Sequence, residues 1–109
     1  MEYVTLNNWV SMPILWFWVY KVAQNEAKDV VLNAIKMGYR HIDTAQYYEN
    51  ERWVGQAIKH SWIDRKDFFV TTKLITKWHE NTLKWIDISL QKFWYDYFDL
   101  ILHWNSIIK

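Results

Sequence analysis

The hydrophobic pattern of the chain predicts short strands that alternate with helices. The runs "YVTL" and "SMPIL", joined by "NNWV", predict a small hairpin, and "WFWVY" predicts a further strand. Apolar positions at helical spacing then predict three helices, over about 26–37, 50–61 and 81–93. Each helix is followed by a predicted strand, "YRHIDTA", "FFVTTKL" and "FDLILHW" respectively.

The helix boundaries carry local signals of their own. Asn25 is a residue type that caps helix N-termini, and Gly38 is the type that ends them. In the third helix the apolar residues fall at i, i+3, i+7 and i+10, which predicts one inward-facing stripe. Its members are Leu83, Ile86, Leu90 and Phe93.

Strand–helix alternation at this spacing predicts an α/β domain whose strands run parallel through right-handed crossovers. We expect one domain over residues 1–109. A hairpin occupies 1–15, and strands 1–4 of the parallel sheet with helices 1–3 occupy 16–109. Four such strands form either an open sheet or the first half of a (β/α)8 TIM barrel.

Composition excludes several classes of protein. Hydrophobic residues make up 51% of the 109 positions, which is too apolar for disorder. The net charge is +1 without a basic stripe, so no nucleic-acid partner is expected. The absence of cysteine excludes disulfides, thiolate zinc sites and a cysteine nucleophile. No signal-peptide pattern begins the chain and no apolar stretch is long enough for a membrane span, so we expect a cytoplasmic protein without membrane contact.

Polar residues mark the carboxyl ends of three predicted strands. Asp43, Lys73 and His103 hold these positions, and Tyr48 lies in the loop after Asp43. In parallel α/β architectures this edge of the sheet carries the functional site. The alternative is a structural Asp43–Lys73 ion pair with Tyr48 and His103 as ordinary surface groups. No metal site is expected, because His41 and Asp43 share a strand face without a third ligand in range.

The segments "HIDTAQYYENE", "FFVTTKL" and "LILHW" together resemble the aldo-keto reductase superfamily. The resemblance runs over nearly the whole chain, and its nearest members are similar to diketogluconate reductases and prostaglandin F synthases. It implies a (β/α)8 barrel closed at the bottom by a hairpin. It also implies reduction of small aldehydes and ketones with NADPH.

The resemblance implies a role for each strand-end residue. Tyr48 would donate a proton to the substrate carbonyl oxygen, and Lys73 would favour its phenolate, since an ammonium stabilises a neighbouring negative charge. Asp43 would hold Lys73, and His103 would orient the carbonyl. The residues that match cofactor-contacting positions are Trp18, Val19, Tyr20, Asp43 and Thr44.

Two departures from the family pattern bear on function. A complete barrel needs about 250 residues, so we expect a truncated and inactive fragment of the enzyme. The alternative is a non-catalytic half-barrel that self-associates through its open sheet edges or pairs with a missing second half. The last strand is also one residue short before His103, which would turn that residue away from the site unless a bulge compensates.

The third departure is that the chain has nine tryptophans and only two glycines. The family favours glycine at Trp9, Trp16, Trp18, Trp62 and Trp94. Two of these, Trp62 and Trp94, follow helices at the place that Gly38 holds after the first helix, where a left-handed backbone is needed. We hypothesise that UGA codons meaning glycine are written here as tryptophan; engineering and a degraded gene are the alternatives, and UGG codons at these positions would exclude the hypothesis.

Overall fold

The computed structural model describes residues 2–6, 8, 10–13, 15–20, 22–74 and 82–103, with the side chains of Thr82 and His103 excepted. Several sequence predictions fall outside these residues. They concern the hairpin turn at Trp9 and the third helix's start at Asn81.

The described elements follow the predicted order, with shorter strands. The strands are β1 (Tyr3–Thr5), β2 (Ser11–Pro13), β3 (Trp16–Trp18), β4 (His41–Asp43), β5 (Phe69–Leu74) and β6 (Leu100–His103). The helices are α1 (Gln24–Lys36), α2 (Glu51–His60) and α3 (Thr82–Phe93), with single 3₁₀ turns at Gln46–Tyr48 and Arg65–Asp67. None of the helices in the described residues is long and apolar enough to cross a bilayer.

The strands form two sheets. β1 and β2 pair antiparallel as the predicted hairpin, and the second sheet has the order β3-β4-β5-β6 with every pair parallel. Each βα unit therefore adds its strand beside the previous one, in one direction, as in a barrel wall. The α/β class and the incomplete half-barrel predicted from the sequence are confirmed.

The parallel sheet has one face covered by helices and one open face. Ile42 of β4 and Val70 of β5 are fully buried against the helices. They belong to the core, which is completed by Val19, Val31, Ile35, Val54, Ala57, Ile58, Phe68 and Phe93. The alternate positions of the strands, among them Asp43 and Lys73, occupy the opposite face, because neighbouring side chains of a strand point to opposite sides.

Two details of the predicted helices were wrong. The first helix begins at Gln24 after an extended Ala23, so Asn25 lies inside the first turn and does not cap it. In α3, Leu83 is 78% exposed although Phe93 is fully buried. The helical stripe continues in the sequence, yet its first residue is exposed, whereas Ser89 and Phe93 later in α3 are fully buried.

The ends of the helices adopt the left-handed backbone that was predicted by comparing Trp62 and Trp94 with Gly38. After α1, Gly38 (φ +106°) donates to the carbonyl of Ile35, and Tyr39 donates to that of Ala34, which is the Schellman arrangement. Trp62 follows α2 with φ +63°, and Trp94 follows α3 with φ +67°. Both tryptophans therefore hold a conformation that costs a residue with a Cβ about 1–2 kcal/mol.

Gly55 is a glycine that the helix packing requires. A Cβ at this position would overlap the main-chain carbonyl of Phe93. Helices α2 and α3 thus approach each other closely through Gly55, and a larger residue would force them apart.

His41 fastens the hairpin to the bottom of the sheet. Its ring Nδ1 lies 3.2 Å from the carbonyl oxygen of Pro13, and its Nε2 lies 3.0 Å from the Thr71 hydroxyl. Because a carbonyl only accepts hydrogen bonds, Nδ1 carries the proton and Nε2 accepts from Thr71. Burial lowers the pKa of His41, although the Pro13 carbonyl opposes this shift.

A buried ion pair ties β6 to β5 at the same end. Arg65 pairs with Asp99 at 2.9 Å and donates to the carbonyl oxygens of Phe68 and Tyr97. Asp99 also accepts a hydrogen bond from the main-chain N–H of Val70 at 2.7 Å. Side-chain contacts of Arg65 and Asp99 therefore fix the β5–β6 pairing where the two strands begin, in addition to the backbone hydrogen bonds between the strands.

Replacing Trp62 by glycine is expected to stabilise the fold by about 0.5–1 kcal/mol, since the relieved strain exceeds the entropy that glycine adds to the unfolded chain. Trp62 is 93% exposed, so little packing is lost. The measurement is the free energy of unfolding in urea. Trp62→Ala is the control, because it removes the ring and keeps the strained Cβ; an equal gain in both variants would contradict the strain argument.

Acidification is expected to weaken the fold through His41. The folded state holds His41 with a lowered pKa, so the unfolded chain binds the proton first, from about pH 6.5 downward. This contribution to stability is complete above that pH and is lost as the pH falls towards the folded-state pKa. The unfolding free energy should fall less between pH 7.5 and pH 5.5 in His41→Gln than in the unaltered chain; an identical pH dependence in both proteins would refute this role.

Candidate active site

The carboxyl ends of β4 and β5 bring the predicted residues to one rim. Asp43 is the last residue of β4 and pairs with Thr71 of β5. Lys73 lies two residues beyond Thr71, so it stands on the same face of the sheet, one pleat further along. Tyr48 ends the 3₁₀ turn that follows β4. Three of the four predicted catalytic positions thus converge.

The Lys73 ammonium is the centre of this cluster. It forms a salt bridge with the Asp43 carboxylate, donates to the Thr44 carbonyl oxygen at 3.2 Å, and lies 3.5 Å from the Tyr48 hydroxyl oxygen. The Lys73 side chain is only 8% exposed. Because a buried charge needs a partner, Asp43 is what permits an ammonium at this place. The Tyr48 hydroxyl is consequently held beside a fixed positive charge.

Two further aromatic side chains surround Tyr48. The indole Nε1–H of Trp18 donates to the Tyr48 oxygen at 2.6 Å. The ring of Tyr20 meets the ring of Tyr48 edge-on, with centroids 5.2 Å apart, and lies 5.2 Å from the ring of Trp18. The hydrogen bond from Trp18 was not predicted, because no sequence signal links a strand residue to one thirty positions later.

Buried hydrogen bonds fix the loop that carries Tyr48. The Thr44 hydroxyl donates to the Asn50 side-chain oxygen at 2.7 Å, and the Asn50 amide donates to the Val19 carbonyl at 3.1 Å. All three residues are fully buried. Thr44 and Asn50, at the two ends of the loop between β4 and α2, are thereby linked to each other and to Val19, which follows β3.

Glu51 anchors the same loop to the sheet and to α3. Its carboxylate accepts from the hydroxyls of Thr72 at 2.6 Å and Ser89 at 3.1 Å, and Ser89 accepts from Gln46 at 2.7 Å. Burial raises the pKa of Glu51, and the two hydroxyl donors partly oppose that shift. Through Gln46 this network reaches the turn that ends in Tyr48.

The sequence interpretation did not identify Gln46 and Ser89 as part of this support. A usable signal existed for Ser89, which lies three residues after Ile86 and four before Phe93, on the apolar stripe of α3. A polar residue on such a stripe needs a buried partner. Gln46 carries no comparable signal, since it lies in a short irregular turn.

The five predicted cofactor-contacting residues divide into two sets. Val19 and Thr44 are fully buried and support the rim from beneath, so their side chains do not reach the open face. Trp18, Tyr20 and Asp43 lie on the open side of the sheet next to Tyr48. Only the second set offers side chains to a bound molecule.

The position of His103 is defined by its backbone. His103 pairs with Leu74, while Lys73 pairs with Leu102. By this register, position 103 lies on the same face of the sheet as Leu74 and not on the face of Lys73. The His103 side chain lies outside the described residues, so its predicted role in orienting the carbonyl stays a prediction.

Comparison with known proteins places this rim in a family. The family model described as "Aldo/keto reductase family" matches residues 14–108. That range includes every residue of the cluster and the elements that support it.

Characterised relatives share close to half of their aligned residues with the chain. Glycerol 2-dehydrogenase (NADP(+)) of Saccharomyces cerevisiae is 43% identical over 94% of the chain and 33% of its own length. Glyoxal reductase of Bacillus subtilis is 44% identical over 93% of the chain and 38% of its own length. The chain thus spans about a third of the curated relatives it matches.

Solved structures agree with the fold. An aldo/keto reductase from Brucella melitensis superposes with a TM-score of 0.89 at 46% identity, over 94% of this chain and 40% of that protein. An aldo-keto reductase from a deep-sea metagenome library gives a TM-score of 0.87 at 44% identity. With the family match across the strands, the loop and the clustered Asp43, Tyr48 and Lys73, the chain belongs to the aldo/keto reductase family of oxidoreductases.

Proposed function

We propose that the chain is the N-terminal, proton-donating part of an NADPH-dependent reductase that converts aldehydes and ketones to alcohols. The observation that carries the proposal is the contact of Lys73 with both Asp43 and Tyr48 on one rim. The names of two similar proteins, a glyoxal reductase and an NADP(+)-linked glycerol dehydrogenase, support this class of substrate and cofactor.

Tyr48 is the proton donor of the proposed reaction. Its hydroxyl would bind the substrate carbonyl oxygen and transfer its proton as negative charge develops there. The phenolate that remains lies beside the Lys73 ammonium and accepts the hydrogen bond from Trp18. Water then returns the proton to Tyr48 after the alcohol leaves.

Lys73 and Asp43 act through Tyr48. The ammonium, itself largely shielded from water, lies 3.5 Å from the Tyr48 oxygen and stabilises the phenolate electrostatically. Asp43 orients the ammonium and offsets its burial. Neither residue exchanges a proton in the proposed cycle, so both are positioning residues.

The same rim would hold part of the nicotinamide group. NADPH, when bound, supplies the hydride that reduces the carbonyl carbon. The exposed ring of Tyr20 and the Asp43 carboxylate fit such a group, since one offers an aromatic face and the other an acceptor beside Tyr48. Val19 and Thr44 would contribute by holding the rim in place.

Tyr48→Phe is expected to lower carbonyl reduction by about 10²–10⁴-fold, the usual contribution of a positioned general acid. The assay follows NADPH consumption with an aldehyde. It uses the chain alone and a hybrid in which the chain replaces the matching N-terminal part of the Bacillus subtilis glyoxal reductase.

Tyr47→Phe is the matched control, because Tyr47 lies in the same 3₁₀ turn and is 61% exposed. It should leave the rate of the hybrid unchanged. A hybrid that folds and binds NADPH but shows the same turnover with Tyr48 and with phenylalanine at that position would refute the proposal.

A second candidate is a half-barrel module that pairs with another copy. Within the described residues, β3 and β6 are the outer strands of the parallel sheet. Trp16 and Trp18 on the open face of β3 are more than half exposed. Bare strand edges beside exposed aromatic rings favour edge-to-edge pairing.

If this pairing occurs, sedimentation of the 109-residue chain should show a concentration-dependent dimer. Trp16→Lys places a charge beside the β3 edge and should shift the equilibrium towards monomer. Met37→Lys, at an exposed position after α1, is the control and should sediment like the unaltered chain. A chain that stays monomeric throughout would exclude the module.

A further inference from the structure

A buried carboxylate on the helix-covered side of the sheet joins β5 to α3. Glu51 is 2% exposed, and each of its two oxygens accepts a separate hydrogen bond. One bond comes from the hydroxyl of Thr72 at 2.6 Å, and Thr72 directly precedes Lys73 in β5. The other comes from the hydroxyl of Ser89 at 3.1 Å, and Ser89 belongs to α3.

Ser89 also holds the turn that ends in Tyr48. The side-chain amide of Gln46 donates to the Ser89 oxygen at 2.7 Å and to the main-chain carbonyl oxygen of Trp85, one helical turn earlier, at 3.0 Å. An amide nitrogen has two hydrogens, so both bonds can form together. Gln46 is the first residue of the 3₁₀ turn and Tyr48 is its last. The turn is therefore fastened to α3 at its first residue.

The order of donors and acceptors gives these contacts a direction. A carboxylate can only accept hydrogen bonds, so the single hydrogen of the Ser89 hydroxyl is directed at Glu51. The Ser89 oxygen is then left to accept from Gln46. Glu51 thus orients the hydroxyl, and the hydroxyl in turn orients the Gln46 amide.

The backbone of the turn gives it limited order of its own. The N–H of Tyr48 donates to the carbonyl oxygen of Ala45, and the N–H of Glu49 donates to that of Gln46, both at 3.1 Å. Hydrogen bonds of a 3₁₀ turn have poorer geometry than those of an α-helix. The orientation of a single such turn therefore depends on side-chain contacts outside it, and the bond from Gln46 to Ser89 is one of these.

We propose that Ser89 is a positioning residue that fixes Tyr48 relative to Lys73. By holding Gln46 it maintains the 3.5 Å separation between the Tyr48 oxygen and the Lys73 nitrogen, so proton donation depends on how α3 is docked. Lys73 needs no such support, because β5 is paired with strands on both sides. Loss of the Thr72 hydroxyl should therefore leave the rim in place. The inference rests on the proposed role of Tyr48 as proton donor.

The hold of α3 on the turn can be measured without turnover on the 109-residue chain. In Ser89→Ala, the N–H groups of Tyr48 and Glu49 should exchange with deuterium about two- to tenfold faster, the effect of losing one hydrogen bond. Thr72→Val is the matched control, since it removes a hydroxyl from the same carboxylate but leaves Gln46 bonded to Ser89. It should leave exchange in the turn unchanged. Unchanged exchange in Ser89→Ala, or equal acceleration in both variants, would overturn the inference.

The consequence for catalysis is tested in the glyoxal reductase hybrid. Ser89→Ala should lower kcat by about 10–100-fold, the cost of displacing a reacting group by up to about 1 Å, with the dissociation constant of NADPH unchanged. In a Tyr48→Phe hybrid the same substitution should have no further effect, because no hydroxyl is left to position. An equal loss in both backgrounds overturns the inference and leaves the proposed function standing. A rate that Tyr48→Phe does not change rejects the proposed function, while faster exchange in Ser89→Ala alone still supports the hold of α3 on the turn.

Discussion

The salt bridge between Lys73 and Asp43 is the interaction on which the rest of the rim depends. Burying an ammonium that is almost entirely shielded from water is costly without a counter-ion, and β4 supplies one from the neighbouring strand. The parallel register fixes both residues to one face before any loop is considered. Tyr48 then lies next to the Lys73–Asp43 ion pair, whose position is set by the sheet.

The position of Tyr48 depends on a second set of contacts on the other side of the sheet. Asn50 and Glu51 turn away from the open face and use their side chains on Thr44, Thr72 and Ser89. The cost of burying these polar groups is offset only while every partner is present. The chemistry on one face is thus held by a buried polar network on the other, so substitutions beneath the sheet would displace the hydroxyl above it.

The sequence was sufficient for the fold class and for three residues of the rim, because strand periodicity and strand ends follow directly from the apolar pattern. It was insufficient where a contact joins distant elements. The indole hydrogen bond of Trp18 and the link from Gln46 to α3 depend on how elements pack, which no local pattern encodes. Leu83 shows the reverse case: the helical stripe is real, yet its first residue is 78% exposed while Ser89 and Phe93 later in α3 are fully buried.

The tryptophans separate into groups that need different physical arguments. Trp62 and Trp94 are in left-handed backbone, so glycine at either position would remove strain. The Trp62 ring is 93% exposed and little packing would be lost there, whereas the Trp94 ring has the Lys59 ammonium 5.2 Å from its centroid. Trp16 and Trp18 lie in strands without such strain, and a smaller residue there would change space at the rim. A UGA codon that means glycine would place tryptophan without regard to backbone conformation, so the hypothesis predicts UGA at the strained positions 62 and 94 and at the unstrained positions 16 and 18 alike.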